Sequence, residues 1–207
     1  MIFMNLEFGL FLYVVIILSA VFHEYMHGWM AYQLGDSTAK DLGRLSLNPI
    51  RHMELFGTVL LPLFLILMNF GFLGWAKPVP YNPYNLRDQK YGNLKVALAG
   101  PGVNLLIAAI LSFLVRFDIG SVMTQSILSW IIYINIFLAL FNLIPVPPLD
   151  GSKLLMDLYP RAFIALKQLS FIGIALALII AFYFLNPIAN VIYFLLTNQQ
   201  FTMLSPF

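Results

Sequence analysis

Long apolar stretches separated by short polar segments are the main pattern along the chain. A stretch of about 20 apolar residues can cross a bilayer as an α-helix. The apolar run 188–197, after Asn186-Pro187, is too short to cross alone. The pattern predicts an all-α polytopic membrane protein with about four to five transmembrane helices, forming one integral-membrane domain over residues 1–207. The longer apolar stretches lie at residues 8–34, 55–72, 96–115, 127–144 and 162–185.

The composition agrees with a lipid environment. The chain has 207 residues, of which 61% are hydrophobic and 10% charged, and its mean hydropathy is +0.87. Soluble domains carry about 25% charged residues, so this chain lacks the polar groups needed to cover a soluble globule. The absence of cysteine excludes disulfides, thiolate metal sites and a cysteine nucleophile. The net charge of +2 gives no concentrated basic face for nucleic acid.

The distribution of basic residues predicts the sidedness of the chain, because cytoplasmic loops collect Lys and Arg. If residues 55–72 cross the bilayer, the basic residues divide seven to four between the two sides. If this segment dips in and returns, they divide ten to one. The second division fits the rule better, so we expect a re-entrant segment with Pro62 near its turning point. Residues 1–7 carry no Lys or Arg and precede a long apolar run, which indicates a permanent span and not a cleavable signal.

The first apolar stretch contains a polar cluster, His23-Glu24-Tyr25-Met26-His27. Residues four apart share one face of a helix, so the two imidazoles can bind one metal ion. Glu24 flanks them and can act as general base on a metal-bound water, whose pKa zinc lowers to about 7. Ionisable groups inside a span cost about 2.5–3.5 kcal/mol each even on lenient scales. This cost favours a metal site over a chance pattern.

A catalytic zinc site usually has a third protein ligand and leaves one position for water. Asp150 follows a proline-rich segment that must break the preceding helix near residue 144. The simplest alternative is that Asp150 only caps a short helix after it. The metal pair needs a carboxylate, which favours Asp150 as the ligand. The full set of candidates is Asp36, Asp41, His52, Glu54 and Asp150.

Membrane depth provides a second argument for Asp150. His23 and His27 lie in the C-terminal half of their span, and Asp150 lies just after the C-terminal end of its own span. These residues reach one depth only if the two spans are parallel, which requires a single crossing between them. Residues 96–115 supply that crossing, so this argument also makes 55–72 re-entrant. Both arguments place the site nearer the cytoplasmic face of the cell membrane, with the N-terminus on the opposite side.

At these residues the chain resembles the site-2 protease family of intramembrane zinc metalloproteases. The resemblance covers most of the chain, and the chain looks most like the short branch of the family, whose members lack PDZ or CBS domains. HExxH alone is moderately specific, but its pairing with the downstream Asn…Pro…Asp-Gly motif is highly specific. The matching segments are 23–27, 35–36, 43–49, 74–80, 99–104 and 142–151.

The resemblance implies hydrolysis of peptide bonds within or near transmembrane segments of single-span membrane proteins, with one catalytic Zn²⁺. The family ligands correspond to His23, His27 and Asp150, and the family base to Glu24. Asn142 corresponds to an asparagine implicated near the substrate or the oxyanion. Asn104 corresponds to an asparagine with a substrate or packing role, and hydrogen bonding to a neighbouring helix would explain it equally well. Residues 43–47 alternate enough to form a strand. The family has a small sheet in this region, so we expect a small membrane-associated β-hairpin or sheet that includes 43–47.

Other functions remain open at this point. A membrane metal-ion transporter would need further ionisable sites along a path through several spans, and the stretches 96–115 and 127–144 contain none. An inactive family member that serves as a binding scaffold is a third possibility, against which the intact Glu24 argues. His52 could be a second metal ligand or a gating group, although a lone loop histidine is more often a surface or interface residue.

Overall fold

The computed structural model describes residues 6–68, 74–159, 161, 164, 166, 173 and 177–202. Among these residues, four helices are long and apolar enough to cross a membrane: α1 (Leu6–Gln33), α4 (Gly92–Arg116), α5 (Val122–Asn142) and α7 (Ala177–Thr197). The shorter helices are α2 (Thr38–Asp41), α3 (Leu61–Leu67) and α6 (Asp150–Leu158). The prediction of a helical polytopic membrane protein is confirmed.

Side-chain contacts fix the directions of the helices. Along α1, Ser19 and His23 contact Asn104 of α4, and His27 contacts Val96 further back in α4. The helices α1 and α4 are therefore antiparallel. The rings of Phe8 and Trp130 lie 5.0 Å apart, and Ser19 contacts Asn135 further along α5. The helices α1 and α5 are therefore parallel, as the depth argument requires.

The last helix packs against both α4 and α5. The hydroxyl of Tyr193 donates to Ser129, and that of Tyr133 donates to Asn186, so α7 is antiparallel to α5. A buried apolar cluster joins the three helices and includes Ala108, Val115, Ile132, Ile136, Ala189 and Tyr193. Large apolar side chains on the outer faces stay exposed, Ile110 at 61% and Leu195 at 66%. Such faces suit contact with lipid.

The long segment between α1 and α4 begins and ends at the same end of the helical layer. The amide of Arg87 donates to the carbonyl of Leu34, which joins the two ends of this segment. Asp36, fully buried, accepts from Thr38, from the amide of Asn82 and from the side chain of Asn85. Burial raises the pKa of Asp36, but these hydrogen bonds lower it more, so the pKa lies below its usual value.

The expected β-hairpin at residues 43–47 is wrong, and no strand occurs in the described part of the chain. Gly43 has a φ of +64° and ends α2 in the left-handed region. The amides of Arg44 and Leu45 then donate back to the carbonyl of Ala39. These donors are therefore used to finish α2 and are not free for a strand ladder.

The predicted re-entrant segment is helical over Leu55–Leu67, where a π-helical turn (Leu55–Leu60) leads into α3. Its 13 residues span about 20 Å, less than the hydrocarbon thickness of about 30 Å. Pro62 is not at a turning point: it lies in the first turn of α3, where a missing N–H is tolerated. Residues 69–72 lie outside the described residues, so re-entry stays a prediction.

The last apolar helix differs from the prediction at its C-terminal end. The predicted span ends at residue 185, but the helix continues through a π-helical turn (Ala181–Leu185) into Asn186–Thr197. Pro187 does not break it because it lies in the first turn of the following α-helical part. The run 188–197 is thus the end of a span. Most of residues 162–176 lie outside the described residues.

Candidate metal and catalytic site

Three of the predicted site residues meet at one point. His23 Nε2 and His27 Nε2 each lie 2.9 Å from Asp150 Oδ2. All three side chains are buried, and among the described residues they form the only cluster of metal-binding type. The sequence separates Asp150 from the histidines by more than 120 residues, and the parallel arrangement of α1 and α5 brings them together.

Hydrogen bonds at the other ring nitrogens fix the tautomer of both histidines. His27 Nδ1 lies 2.7 Å from the carbonyl oxygen of Val96, which can only accept, so Nδ1 carries the proton. His23 Nδ1 donates to Asn104 Oδ1 at 2.6 Å. In the neutral rings both Nε2 lone pairs therefore face the carboxylate of Asp150. Three lone pairs that converge in this way repel one another, and a metal cation between them would satisfy all three.

The spacing of these atoms fits zinc. Tetrahedral zinc with bonds of about 2.0–2.1 Å separates its ligand atoms by about 3.3 Å. The two distances of 2.9 Å are close to that value and need a small outward movement of the rings. The donor set of two imidazole nitrogens and one carboxylate oxygen is typical of catalytic zinc with one open position.

Asp150 is held in place by the chain around it. It begins α6, whose second residue, Gly151, packs against the backbone carbonyls of Leu143 and Ile144, where a Cβ would not fit. Lys153 Nζ donates to Asp150 Oδ1 at 2.8 Å, one turn along α6. Burial alone would raise the pKa of Asp150, but the ammonium group of Lys153 opposes this effect. Lys153 therefore favours the carboxylate form of Asp150, which metal binding requires.

Gly100 allows α4 to approach the histidines closely. A Cβ at Gly100 would lie 2.6 Å from His23 Nε2 and closer still to His27 Nε2. Only glycine leaves room for both rings at this point of the helix. Gly100 lies in a segment that matches a family motif, but this role could not be predicted, since nothing in the local sequence shows which side chains the helix meets.

A buried polar network continues from His23 into the helical layer. Asn104 donates to the Ser19 carbonyl and to Asn135 Oδ1, and Asn135 donates to Ser19 Oγ. Asn104 and Asn135 are both fully buried. The position of Asn104 therefore favours an orienting role behind His23. Ser19 and Asn135 are not among the predicted site residues, and their only sequence signal is that they are polar residues inside spans.

Glu24 lies beside the cluster at the wall of a cavity of about 610 Å³. Its Oε2 accepts a hydrogen bond of 2.7 Å from the amide of Val79, so a loop between spans fixes the carboxylate. The cavity wall also contains His23 and Asn142. The remaining wall is mainly apolar and includes Ile16, Ile17, Ala20, Leu138, Phe141 and Leu149.

The other ligand candidates lie in different environments. Asp36 is used in the loop network, and Asp41 accepts from Ser37 in α2. Glu54 accepts from the indole N–H of Trp75. His52 lines the cavity but belongs to no metal-binding cluster among the described residues, which gives no support to a second metal there. Asn142 also lines the cavity and donates to the Leu138 carbonyl.

A buried His-His-Asp cluster beside a glutamate, inside a layer of apolar helices, defines a membrane-embedded metallopeptidase as the class. The model of peptidase family M50 matches residues 117–185, which include Asp150. "Putative zinc metalloprotease YwhC" of Bacillus subtilis (strain 168) is 38% identical over 162 residues, covering 72% of this chain and 69% of that protein. The chain belongs to peptidase family M50, which confirms its resemblance to the site-2 proteases.

Two further relatives extend the comparison. "Putative zinc metalloprotease Rip2" of Mycolicibacterium smegmatis is 29% identical over 83% of this chain and 68% of that protein. "Zinc metalloprotease MJ0392" of Methanocaldococcus jannaschii is 25% identical over 84% of this chain and 43% of that protein. No solved structure matches the chain significantly.

Proposed function

We propose that this chain is an intramembrane zinc metalloprotease that cleaves peptide bonds within or near transmembrane segments of membrane proteins. In this proposal His23, His27 and Asp150 bind one Zn²⁺ and Glu24 is the catalytic base. The observation that carries it is the convergence of three lone pairs beside Glu24 in a cavity between apolar helices. Membership of peptidase family M50 and the names of the relatives support the reaction type.

The residues divide the chemistry between them. A bound zinc ion supplies a Lewis acid that polarises the scissile carbonyl and acidifies water. Asn104 and the Val96 carbonyl hold the imidazoles so that their Nε2 atoms face the site. Glu24 takes the proton of the attacking water and delivers it to the leaving amine. The amide of Val79 leaves one Glu24 oxygen available for this transfer.

The cavity gives the substrate a place to unwind. The peptide bonds of a transmembrane helix are protected by internal hydrogen bonds, so the helix must open before attack. The apolar wall from α1 and α5 suits the side chains of a membrane segment. Gly74, Ala76 and Pro78 also line the cavity, along a loop without regular secondary structure, and an opened peptide strand could lie against this loop. Single-span membrane proteins are the proposed substrates.

The proposed orientation places the site nearer the cytoplasmic face and the N-terminus on the opposite side. Ten of the eleven basic residues lie in the segments 35–54, 75–95 and 150–168. Because α1 and α5 are parallel, their C-terminal ends point the same way, which supports a location of the segments that follow them on one side of the membrane. Labelling of single cysteines introduced at Lys40 and Lys90 tests the orientation: both should react from the cytoplasmic side, and reaction from opposite sides would contradict the proposal.

Glu24→Gln tests the proposed function. The amide keeps the size of the side chain but cannot accept the proton of water, so we expect zinc to remain bound. Cleavage should fall by about 10²–10⁴-fold, the contribution of general base catalysis. Zinc content and cleavage of a panel of single-span proteins in liposomes are measured together. Glu7→Gln is the matched control, because Glu7 is exposed at the other end of α1. Retained cleavage by Glu24→Gln would reject the assignment.

A further inference from the structure

His52 lies in the cavity wall and has one buried atom without a hydrogen-bond partner. Its side chain is 1% exposed, and its Nδ1 is one of three buried side-chain polar atoms among the described residues that lack a partner. The other two are Arg44 Nε and Gln125 Oε1, and neither residue lines the cavity. A buried polar atom left unpaired is unfavourable, and in a binding cavity it indicates a bond made to a ligand.

The rest of His52 is fixed by the protein. Its amide donates to the Pro49 carbonyl, and its carbonyl accepts from the amide of Lys77. Its Nε2 lies 2.6 Å from the carbonyl oxygen of Ser46, so Nε2 carries the proton. Nδ1 of the neutral ring is therefore a hydrogen-bond acceptor. Two backbone bonds and one ring bond thus fix the position of His52, and its unpaired acceptor is ready for a hydrogen-bond donor.

The cavity itself indicates which donor would bind. Glu24 and His23 of the proposed catalytic centre line the same cavity as His52. The proposed substrate is an opened peptide, whose main-chain N–H groups have lost their helical partners and need new acceptors. Two other polar groups of the wall are already bonded: Thr58 Oγ1 donates to the Trp75 carbonyl, and the Trp75 indole donates to Glu54.

We propose that His52 Nδ1 accepts a hydrogen bond from a main-chain N–H of the unwound substrate and so positions the peptide beside Glu24. His52 is a positioning residue in this proposal and takes no part in proton transfer. The inference rests on the proposed function, because it assumes that a peptide enters this cavity. In a purely structural role, His52 would need only its bond to Ser46, and its Nδ1 would make no contact with the substrate.

Two substitutions separate the structural bond from the proposed one. His52→Gln places an amide near the position of Nε2, which can keep the bond to Ser46 but offers no acceptor at Nδ1. His52→Asn places an amide near the position of Nδ1, which offers the acceptor but gives up Ser46. Loss of one neutral hydrogen bond predicts that His52→Gln binds a substrate peptide about two- to tenfold more weakly. In a cleavage assay it predicts a higher KM with little change in kcat.

The test measures binding and not cleavage, so it does not depend on turnover. The probe is a fluorescent synthetic single-span peptide of leucine and alanine with a central Gly-Gly pair. A matched series carries one N-methyl group at each central position, which removes one N–H at a time. Each peptide is titrated onto the Glu24→Gln chain in lipid nanodiscs, with His52, His52→Gln or His52→Asn, and the zinc content of each protein is recorded.

We expect one N-methyl position to weaken binding when His52 or His52→Asn is present and to have no effect with His52→Gln. Such non-additivity identifies a direct contact. Equal sensitivity of the three proteins at every position would overturn the proposal, as would an absence of peptide binding or a loss of zinc in His52→Gln. The proposed function is tested separately: it would be wrong if the chain with Glu24→Gln alone still cleaved its substrates.

Discussion

The substitution Gly100→Ala adds one methyl group where the structure has least room for it. The new Cβ would lie 2.6 Å from His23 Nε2 and also within contact of the His27 ring. Carbon and nitrogen atoms normally stay about 3.5 Å or more apart. One ring or the helix must therefore move by about 1 Å. The rings cannot turn freely, because Asn104 and the Val96 carbonyl hold their Nδ1 atoms.

The expected effect on zinc is large. Ligand atoms must lie within about 0.2 Å of their ideal positions, so a shift of about 1 Å removes at least one ligand from the site. Loss of an outer partner alone weakens metal binding about 10–100-fold. We therefore expect zinc affinity to fall at least 100-fold in Gly100→Ala, with proteolysis falling in proportion under buffered zinc. The overpacking costs about 1–3 kcal/mol in addition.

Gly102→Ala is the matched control on the same helix. A Cβ at Gly102 meets nothing within 4 Å, and alanine favours a helix over glycine by about 0.8–1.0 kcal/mol. Gly102→Ala should therefore keep zinc and be equally or more stable. Zinc affinity is measured by chelator competition on purified protein, and stability by the thermal midpoint. Normal zinc binding in Gly100→Ala, or an equal loss in Gly102→Ala, would refute the reasoning.

Three further substitutions test other parts of the structure. Asn104→Ala removes the acceptor of His23 Nδ1 and should weaken zinc binding about 10–100-fold in chelator competition; unchanged affinity would contradict the orienting role. Lys153→Met leaves Asp150 Oδ1 without its partner and should weaken zinc binding about tenfold, whereas Lys153→Arg should largely restore it. Asp36→Asn should lower stability at pH 7 by about 1–3 kcal/mol. Because the folded pKa of Asp36 is lowered, its contribution is present above the unfolded pKa of about 3.9 and is lost as pH falls below it. The difference in thermal midpoint between Asp36→Asn and the native chain should therefore shrink towards pH 3, and a constant difference would count against the Asp36 network.

Much of the site could be predicted from sequence because its signals are local or topological. The spacing of His23 and His27 places both on one face of a helix without further knowledge. Asp150 could be selected from distant candidates because parallel spans put it at the right depth, and the structure brings it to both rings. The roles of these residues and re-entry of 55–72 stay predictions.

The features that the sequence did not indicate depend on which helix faces meet. Gly100 and Gly102 lie two residues apart in the same helix, yet only Gly100 faces the histidines. The hydrogen bond between the Val79 amide and Glu24 uses backbone, which has no residue signature. The predicted hairpin failed because the amides of Arg44 and Leu45 are used by the end of α2. Tertiary contacts decide such cases and override local pattern.

Both imidazoles are held by hydrogen bonds to α4, and this limits where residues can be inserted into or deleted from the chain. Val96 and Asn104 lie eight residues apart on one rigid helix and hold two different rings, and Gly100 lies halfway between them. Insertion of one residue between 96 and 104 would rotate the remainder of the helix by about 100° and turn Asn104 away from His23. Natural and designed length variants should therefore be absent from this part of α4.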